Sequence, residues 1–201
     1  MNLTARIMEN TYAYWLWQAP FVAKKFAPIL THNDLRQVRR VLDVGCGPGT
    51  NTRYFAHAQY LGIDHNLRYI QYAHRSHGQD FVAADITRWT LAPTARFDFV
   101  LINSFLHHVD TPSARGILSQ LREIVTDDGH VHIVDVVLPE KPSIARFLTG
   151  HDRGKFARPL EVWREIFAEM FETVVFEPFE LTGLGVTLWQ LVYFKGRAKK
   201  R

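Results

Sequence analysis

The stretch Arg40–Thr52, RVLDVGCGPGTNT, decides the fold that this sequence predicts. Val41 and Leu42 open a short apolar run that ends at Asp43, and three glycines follow close behind. A polar segment beginning at Thr50 can then start a helix, so the stretch predicts a strand, a tight turn and a helix. Glycines allow the backbone to approach a ligand closely, and the free N–H groups of the helix face the same crevice. The stretch therefore predicts a site for a nucleotide-like ligand.

The length and composition of the chain fit one domain of ordinary size. With 201 residues, 47% of them hydrophobic, the chain can form a sheet covered by helices on both faces but not a second full domain. The apolar runs are shorter than the roughly 20 residues of a membrane span, and the amino terminus lacks a signal-peptide pattern. The single cysteine, Cys46, excludes an internal disulfide and agrees with a reducing compartment. We therefore expect a cytoplasmic protein without a membrane span.

The basic character of the chain comes from its carboxyl terminus. The formal net charge is +4, and the last seven residues, KGRAKKR, carry five positive charges, so the rest of the chain is close to neutral. A charge run of this kind is usually a solvated end, which disfavours nucleic acid as a partner. We assign residues 195–201 to a basic tail and residues 1–194 to a single domain.

Segments that alternate between strand and helix patterns follow the glycine-rich stretch. This alternation predicts a parallel sheet with right-handed crossovers, whose ligand lies at the carboxyl ends of the strands. Asn66 and Thr111 are predicted helix N-caps, and the Asp128–Gly129 turn is expected to end the second of these helices. The predicted strands are residues 58–64, 80–85, 97–103 and 131–137, and the predicted helices are residues 66–77, 112–125 and 160–171.

The amino-terminal residues 1–39 are helical in pattern and rich in aromatic side chains. Pro20 interrupts the pattern, which predicts a pair of amphipathic helices, and Asn33 or Asp34 can cap a further short helix. These helices either pack on the body of the domain or form a lid over the ligand crevice, since aromatic side chains combine a large apolar area with a polar edge.

Two later segments also depart from the alternation. Residues 138–159 are interrupted by prolines and glycines, which predicts an irregular, partly helical insertion that caps the site. Residues 173–181 and 186–194 are β-rich runs joined by TGLG, which predicts an antiparallel pair at one edge of the sheet.

The spacing of the glycines distinguishes between classes of nucleotide ligand. Dinucleotide oxidoreductases favour G-x-G-x-x-G, in which the third glycine lets the helix pack closely on the strand. Here Gly45, Gly47 and Gly49 form G-x-G-x-G, with Thr50 in the place of that third glycine, and the phosphate-binding G-x-x-x-x-G-K-[ST] is absent. The pattern favours a ligand without phosphates and leaves a nicotinamide oxidoreductase as a less favoured alternative.

Five sequence motifs follow one another along the chain: LDVGCGPGTNT, GIDHN, AADIT, FDFVLINSFLHHV and LREIVTDDGHVHIVDVV. In this order they resemble the motifs of class I S-adenosylmethionine-dependent methyltransferases, in particular the small-molecule branch that includes the ubiquinone and menaquinone methyltransferases. The resemblance covers residues 40–137 and implies an α/β fold in a single domain. The expected architecture is a Rossmann-like, doubly wound, mostly parallel sheet of seven strands in the order 3-2-1-4-5-7-6, with strand 7 antiparallel.

The resemblance implies S-adenosylmethionine as the cofactor and S-adenosylhomocysteine as its product. Asp64 can accept two hydrogen bonds from the ribose hydroxyls, and His65 can lie against the adenine. Asp85 is expected to accept from the adenine amino group, while the Ile86 N–H meets a ring nitrogen. A strand-ending aspartate can also serve only as a cap or turn former. The remaining predicted cofactor residues are Gly45, Cys46 and Gly47 beside the methionine part, Asp43 beneath the loop, and Asn103, which contacts the cofactor or the acceptor or caps the next segment.

Methyl transfer requires a positioned acceptor and sometimes a base that removes its proton. His107 and His108 follow the fourth strand, beside the expected methyl group, and His151 lies in the polar part of the insertion near Arg146 and Arg158. We predict that His107 or His108, with His151 as the substitute, deprotonates a hydroxyl-bearing acceptor. The alternative to a role as the base is that His107 and His108 serve in packing or contact the cofactor. The polar segment of the insertion either caps the site over an anionic acceptor or forms a solvated loop.

Several specialised forms of methylation are disfavoured by the same motifs. Metal-assisted catechol methylation is expected to use an acid at the end of strand four, where this chain has Asn103, so we expect no metal. Ser104 and Phe105 also exclude the N-P-P-[YF] signature of amino-directed enzymes. We predict methylation of a small, partly hydrophobic molecule, on oxygen in preference to nitrogen or carbon. The alternatives are a cofactor-binding partner subunit without catalysis and an RNA or protein methyltransferase that uses the basic tail.

Overall fold

Seven strands form one sheet in the computed structural model, which describes residues 11–88, 92, 94–151, 154–183 and 185–199, with side chains from residue 21 onward. The strands are β1 (Arg40–Val44), β2 (Gln59–Asp64), β3 (Asp80–Ala83), β4 (Phe97–Asn103), β5 (Val125–Val137), β6 (Phe171–Gly183) and β7 (Val186–Ala198). Their order is β3-β2-β1-β4-β5-β7-β6, and β7 runs antiparallel to both of its neighbours. The predicted fold class and strand order are therefore confirmed.

The described residues form five α-helices: α1 (Thr11–His32), α2 (Leu67–Ser76), α3 (Thr111–Ile124), α4 (Ile144–His151) and α5 (Leu160–Met170). The side chain of Asn66 accepts hydrogen bonds from two backbone N–H groups at the start of α2, as predicted for an N-cap. The predicted cap of α3 is wrong by one residue. Asp110 accepts from the Ser113 N–H at 2.9 Å, and Thr111 is already helical. None of the described helices is both long and apolar enough to span a membrane.

The helices cover the sheet on both faces because successive strand residues point to opposite sides. Leu42 and Val100 belong to the cluster on the side of α3 and α5. Val41 and Phe99, their neighbours along the chain, belong to the cluster on the side of α1 and α2. The central strands β1 and β4 are buried on both faces, which explains why they read as continuous apolar runs.

The helix that we predicted after the glycine-rich turn is not formed. Backbone N–H groups of Gly49, Thr52 and Phe55 instead donate to carbonyls three residues earlier, and only Thr52–Tyr54 is a short 3₁₀-helix. The segment between the glycine-rich turn and β2 is too short for an α-helix and the loop that would lead back to the sheet, because β2 already begins at Gln59. The α1 side chain Phe26 stacks on Tyr54 at 3.9 Å between ring centroids and covers this part of the sheet.

The amino-terminal segment also differs from the predicted pair of helices, since α1 runs without a break through Pro20. Asp34 caps a short 3₁₀-helix, Leu35–Gln37, by accepting from the Arg36 N–H, as the sequence predicts. Two contacts join the end of α1 to β7. Asn33 Nδ2 donates to Tyr193 Oη at 3.0 Å, and Lys195 Nζ donates to the His32 carbonyl at 3.3 Å.

Three strands, β5, β6 and β7, are longer than predicted because neighbouring strands supply hydrogen-bond partners for their ends. β5 begins at Val125, directly after α3, so Asp128 and Gly129 lie within a strand, where the pairing with β4 shifts register. β7 extends to Ala198, whose partner is Phe171 of β6. The predicted boundary of the basic tail is therefore wrong, since Lys195 lies inside β7.

Candidate functional site

A cavity of about 270 Å³ lies at the carboxyl ends of the four strands β1 to β4. Six of the predicted site residues meet there, namely Gly45, Asp64, His65, Asp85, Ile86 and His108. The lining residues that sequence reasoning missed are Ile63, Ala84, Thr87, Phe105 and Val109. The missed residues are mostly apolar or small, and each lies within three residues of a predicted site residue. These residues line the cavity because the strands pack side by side, and no sequence motif identifies them.

The glycine loop closes over the end of β2. The N–H groups of Gly45 and Cys46 both donate to the Ile63 carbonyl, at 2.8 and 3.0 Å. Gly45 has φ +72°, and a β-carbon there would lie 2.7 Å from the Phe105 ring, so the turn and the close approach both require glycine. The Phe105 ring therefore lies directly over the loop at the entrance to the cavity.

The carboxylate of Asp64 ties the loop to β2 and is largely buried. Its Oδ2 accepts from the Gly47 N–H at 2.9 Å, and its Oδ1 accepts from the Asn66 N–H at 2.8 Å. His65 Nδ1 lies 3.6 Å from the same carboxylate, with most of its side chain exposed. The Asp64 carboxylate thus links the glycine loop, through Gly47, to the N-cap residue Asn66 of α2.

Asp43 lies fully buried beneath the loop. Its Oδ2 accepts from Tyr60 Oη at 2.5 Å and from Asn51 Nδ2 at 2.9 Å, while its Oδ1 has no partner among the described residues. Burial raises the pKa of Asp43 to about 6, although the hydrogen bonds from Tyr60 and Asn51 oppose this change. Tyr60 and Asn51 were not predicted. Asn51 stands in the quoted polar segment, but its contact with Asp43 depends on the 3₁₀ turns that replace the expected helix.

A series of hydrogen bonds continues from the loop to helix α1. Asn103 Nδ2 donates to Asn51 Oδ1 at 3.4 Å, and Ser104 Oγ donates to Asn103 Oδ1 at 3.3 Å. Lys25 Nζ, from α1, donates to Ser104 Oγ at 3.3 Å. Ser104 has φ +59°, a left-handed conformation that costs energy in non-glycine residues and that often occurs at functional sites. Asn103 therefore connects the glycine loop to a cation on α1.

Of two other predicted cofactor residues, Cys46 is buried and Asp85 is exposed. Cys46 is 3% exposed, and burial raises the pKa of its thiol far above the usual value, which disfavours a thiolate. Asp85 is exposed, and its Oδ1 accepts from the Thr87 hydroxyl at 2.7 Å and from the Thr87 N–H at 3.0 Å. These bonds hold the pKa of Asp85 below its usual value, so the carboxylate is ionised at neutral pH.

The two neighbouring histidines have different environments. His108 lines the cavity, whereas His107 is 3% exposed and its Nδ1 lies 2.6 Å from Oδ1 of the buried Asp135. The N–H groups of Leu106 and Val136 also donate to Asp135, both at 2.7 Å. Burial alone would raise the pKa of Asp135, but the positive charge and hydrogen bond of His107 and the two N–H groups lower it. Asp135 was missed, although a single acid inside the apolar run HIVDVV was a visible signal.

The insertion does not bring His151 to the cavity. His151 lies on α4, donates through Nδ1 to the Phe147 carbonyl at 2.8 Å, and lines a separate surface depression with Arg146. Arg158 is 5% exposed, donates to carbonyls of Leu106, Val109 and Phe156, and stacks on a tryptophan ring. Arg158 therefore holds the insertion against the strand-four loop. Asp152 and Arg153 lie outside the described residues.

Gly154 packs directly on His107, and its replacement by alanine is expected to destabilise the protein. A β-carbon at Gly154 would lie 1.8 Å from His107 Cδ2, and the Phe156 N–H beside it donates to the His107 carbonyl at 3.0 Å. Overpacking of this kind costs about 1–3 kcal/mol. Thermal unfolding should show a midpoint about 2–12 °C lower.

Gly150→Ala is the matched control for that variant. A β-carbon at Gly150, in helix α4, would meet no described atom within 4 Å. The control should be neutral or more stable by about 0.5–1 kcal/mol, because alanine favours helix. Equal unfolding midpoints for the two variants would contradict the packing of Gly154 on His107.

Comparisons with known proteins agree with this arrangement. Residues 41–129 match the family model described as a methyltransferase domain. The N-methyltransferase NodS from Bradyrhizobium japonicum, solved in complex with S-adenosyl-L-homocysteine, has the same fold with a TM-score of 0.72. Its identity is 17%, and the match covers 98% of this chain and 96% of that chain. The chain therefore has the fold of S-adenosylmethionine-dependent methyltransferases, and its residues 41–129 resemble a methyltransferase domain.

Curated methyltransferases share part of their sequence with this chain. The trans-aconitate 2-methyltransferase of Delftia acidovorans is 37% identical over 90 residues, covering 41% of this chain and 33% of that protein. The protein of the same name from Afipia carboxidovorans is 25% identical over 166 residues, covering 78% of this chain and 62% of that protein. The chain thus spans about a third of the length of the Delftia relative.

Proposed function

We propose that this chain is an enzyme that transfers a methyl group from S-adenosylmethionine to a small, partly hydrophobic molecule. The observation that carries the proposal is the cavity at the carboxyl ends of the strands, where the Asp64 carboxylate and the glycine loop meet. A carboxylate at this position suits ribose hydroxyls, because a charged acceptor makes hydrogen bonds about twice as strong as a neutral one does.

The described residues fit S-adenosylmethionine in three respects. A β-carbon at Gly47 would meet no described atom within 4 Å, which leaves room beside the loop for a ligand. Asp43 beneath the loop accepts from Tyr60 and Asn51, which would hold the loop in place beside the methionine part of the cofactor. The ionised Asp85 at the far side of the cavity suits an amino group of the adenine. Bound S-adenosylmethionine would supply a methyl group that its sulfonium already activates.

We propose O-methylation, with His108 as the base for a hydroxyl-bearing acceptor. His108 lines the cavity, and its ring centroid lies 4.1 Å from that of His107, which Asp135 holds in place. From the sequence, His107 was an equal candidate for the base and His151 was the substitute. The burial of His107 and the position of His151 on α4 now favour His108.

Turnover of S-adenosylmethionine to S-adenosylhomocysteine in the presence of a library of small hydroxyl and carboxyl compounds tests the function. We expect turnover with a member of the library, a loss of about 100-fold or more in His108→Ala, and little change in His151→Ala. Binding of S-adenosylhomocysteine without any turnover would favour a non-catalytic partner subunit. Full turnover in His108→Ala would contradict the role of that residue as a base.

A further inference from the structure

The loop that follows β4, residues 104–109, supplies one wall of the cavity. Phe105, His108 and Val109 all line the cavity. Phe105 and His108 are three residues apart around the short 3₁₀-helix Leu106–His108, which brings both side chains to the same side of the loop. Because a ligand in the cavity contacts this wall, its affinity depends on how firmly the loop is held in place.

The guanidinium group of Arg158 holds this loop at two points. Its Nη1 donates to the Leu106 carbonyl at 3.2 Å, and its Nη2 donates to the Val109 carbonyl at 2.8 Å. The two carbonyls lie on either side of His107 and His108 in the chain. A planar guanidinium fixes both bonds in one geometry, which the single nitrogen of a lysine cannot do. Arg158 is almost fully buried, so these bonds form in a medium of low dielectric, where they are stronger than in water.

Arg158 also belongs to the insertion, and its backbone continues the sheet. The Arg158 carbonyl accepts from the Leu138 N–H at 2.8 Å, and Arg158 forms an isolated parallel bridge with Val137. The Phe156 N–H donates to the His107 carbonyl at 3.0 Å, and the Phe156 carbonyl accepts from Arg158 Nη1 at 2.9 Å. The loop that follows β4 therefore cannot shift without breaking its contacts with the insertion.

We propose that Arg158 is a positioning residue for the cavity, whose guanidinium fixes the loop after β4 in the form that binds S-adenosylmethionine and thereby couples the insertion to the site. This inference rests on the proposed function, which places the cofactor in the cavity. Arg158 is not among the described residues that line the cavity, so it acts through the carbonyls of Leu106 and Val109. Because coupling between sites is reciprocal, a ligand that stabilises the loop also stabilises the contacts of the insertion with it.

The proposal predicts a loss of cofactor affinity in folded variants of Arg158. Titration calorimetry with S-adenosylhomocysteine is performed at a temperature at which circular dichroism shows each variant to be folded. Arg158→Met, which keeps an apolar side chain of similar length, should weaken binding by about 10-fold or more. Arg158→Lys should still weaken binding by about 3-fold or more, because one ammonium group cannot hold both carbonyls. The lysine variant decides the matter if the methionine variant does not fold.

Phe167→Leu is the matched control for a loss of stability alone. Phe167 is fully buried on α5, the helix that follows Arg158, and its ring packs on Phe194 of β7. Its replacement should lower the unfolding midpoint and leave the affinity for S-adenosylhomocysteine within about twofold of the wild-type value. A positioning role and a purely stabilising role of Arg158 therefore give different results.

Hydrogen exchange of the wild-type protein tests the coupling without a substitution. S-adenosylhomocysteine should slow exchange of the Leu138 and Phe156 amides by about 5-fold or more, although neither residue is among those that line the described cavity. Wild-type affinity in either Arg158 variant, equal losses of affinity in Phe167→Leu and Arg158→Met, or unchanged exchange at both amides would each overturn the inference. A wild-type protein that does not bind S-adenosylhomocysteine would instead contradict the proposed function, and the inference with it.

Discussion

Replacement of Asp64 by alanine is expected to weaken binding of S-adenosylhomocysteine by about 100-fold or more. The carboxylate is the charged acceptor at the end of β2, and it also fixes the glycine loop through the Gly47 N–H. Two charge-assisted hydrogen bonds to a ribose are together worth about 3 kcal/mol or more. Titration calorimetry measures the change directly, and Asp64→Asn should have an intermediate effect because its amide oxygen still accepts.

Asp80→Ala separates the loss of this contact from a general effect of removing an acid. Asp80 is exposed at the start of β3, at the opposite edge of the sheet from the cavity. Its replacement should leave affinity for S-adenosylhomocysteine within about twofold of the wild-type value. Wild-type affinity in Asp64→Ala would show that the carboxylate does not contact the ligand.

Replacement of Asp135 by alanine is expected to destabilise the fold by about 3–5 kcal/mol, because it leaves His107 and two backbone N–H groups buried without their acceptor. For a chain of this size the unfolding midpoint should fall by about 6–20 °C. Asp127→Ala is the control, since Asp127 is exposed on the same strand and should change the midpoint little. An equal effect of the two substitutions would contradict the buried pair.

The contribution of Asp135 should also depend on pH with a defined sign. Its pKa is lowered in the folded protein, so the unfolded state binds a proton more readily. The stabilisation is therefore complete above the ordinary carboxyl pKa of about 4 and is lost as the pH falls below it. Unfolding experiments should show a difference between wild type and Asp135→Ala that decreases as the pH falls through the ordinary carboxyl pKa.

The individual strands could be predicted because their signals are local, whereas the order of the strands was expected from the resemblance to the methyltransferase motifs. β4 was predicted with both of its ends, since a strand buried on both faces reads as an uninterrupted apolar run that ends at a polar Asn103. The cap of α2 was predicted because Asn66 contacts only residues within its own first turn. Signals of this kind need no knowledge of distant parts of the chain.

The errors concern features that distant residues determine. The short segment before β2 forms 3₁₀ turns in place of the expected helix, and Phe26, from an earlier part of the chain, stacks on Tyr54 there. Asp135 and His107 come into contact only when β5 packs beside the loop that follows β4. Their positions in the sequence do not indicate that they are partners. The ends of β5 and β7 depend on neighbouring strands, which propensity alone does not reveal.

The attachment of α1 to β7 has a consequence for the order of folding during synthesis. Asn33 and Tyr193 are 160 residues apart in the chain, and their hydrogen bond joins the end of α1 to a strand near the carboxyl terminus. Because a contact between such distant residues requires closure of a long loop, it forms late in folding. The end of α1 therefore cannot dock on β7 until that strand has left the ribosome, and the apolar residues that this contact covers stay exposed to aggregation until then.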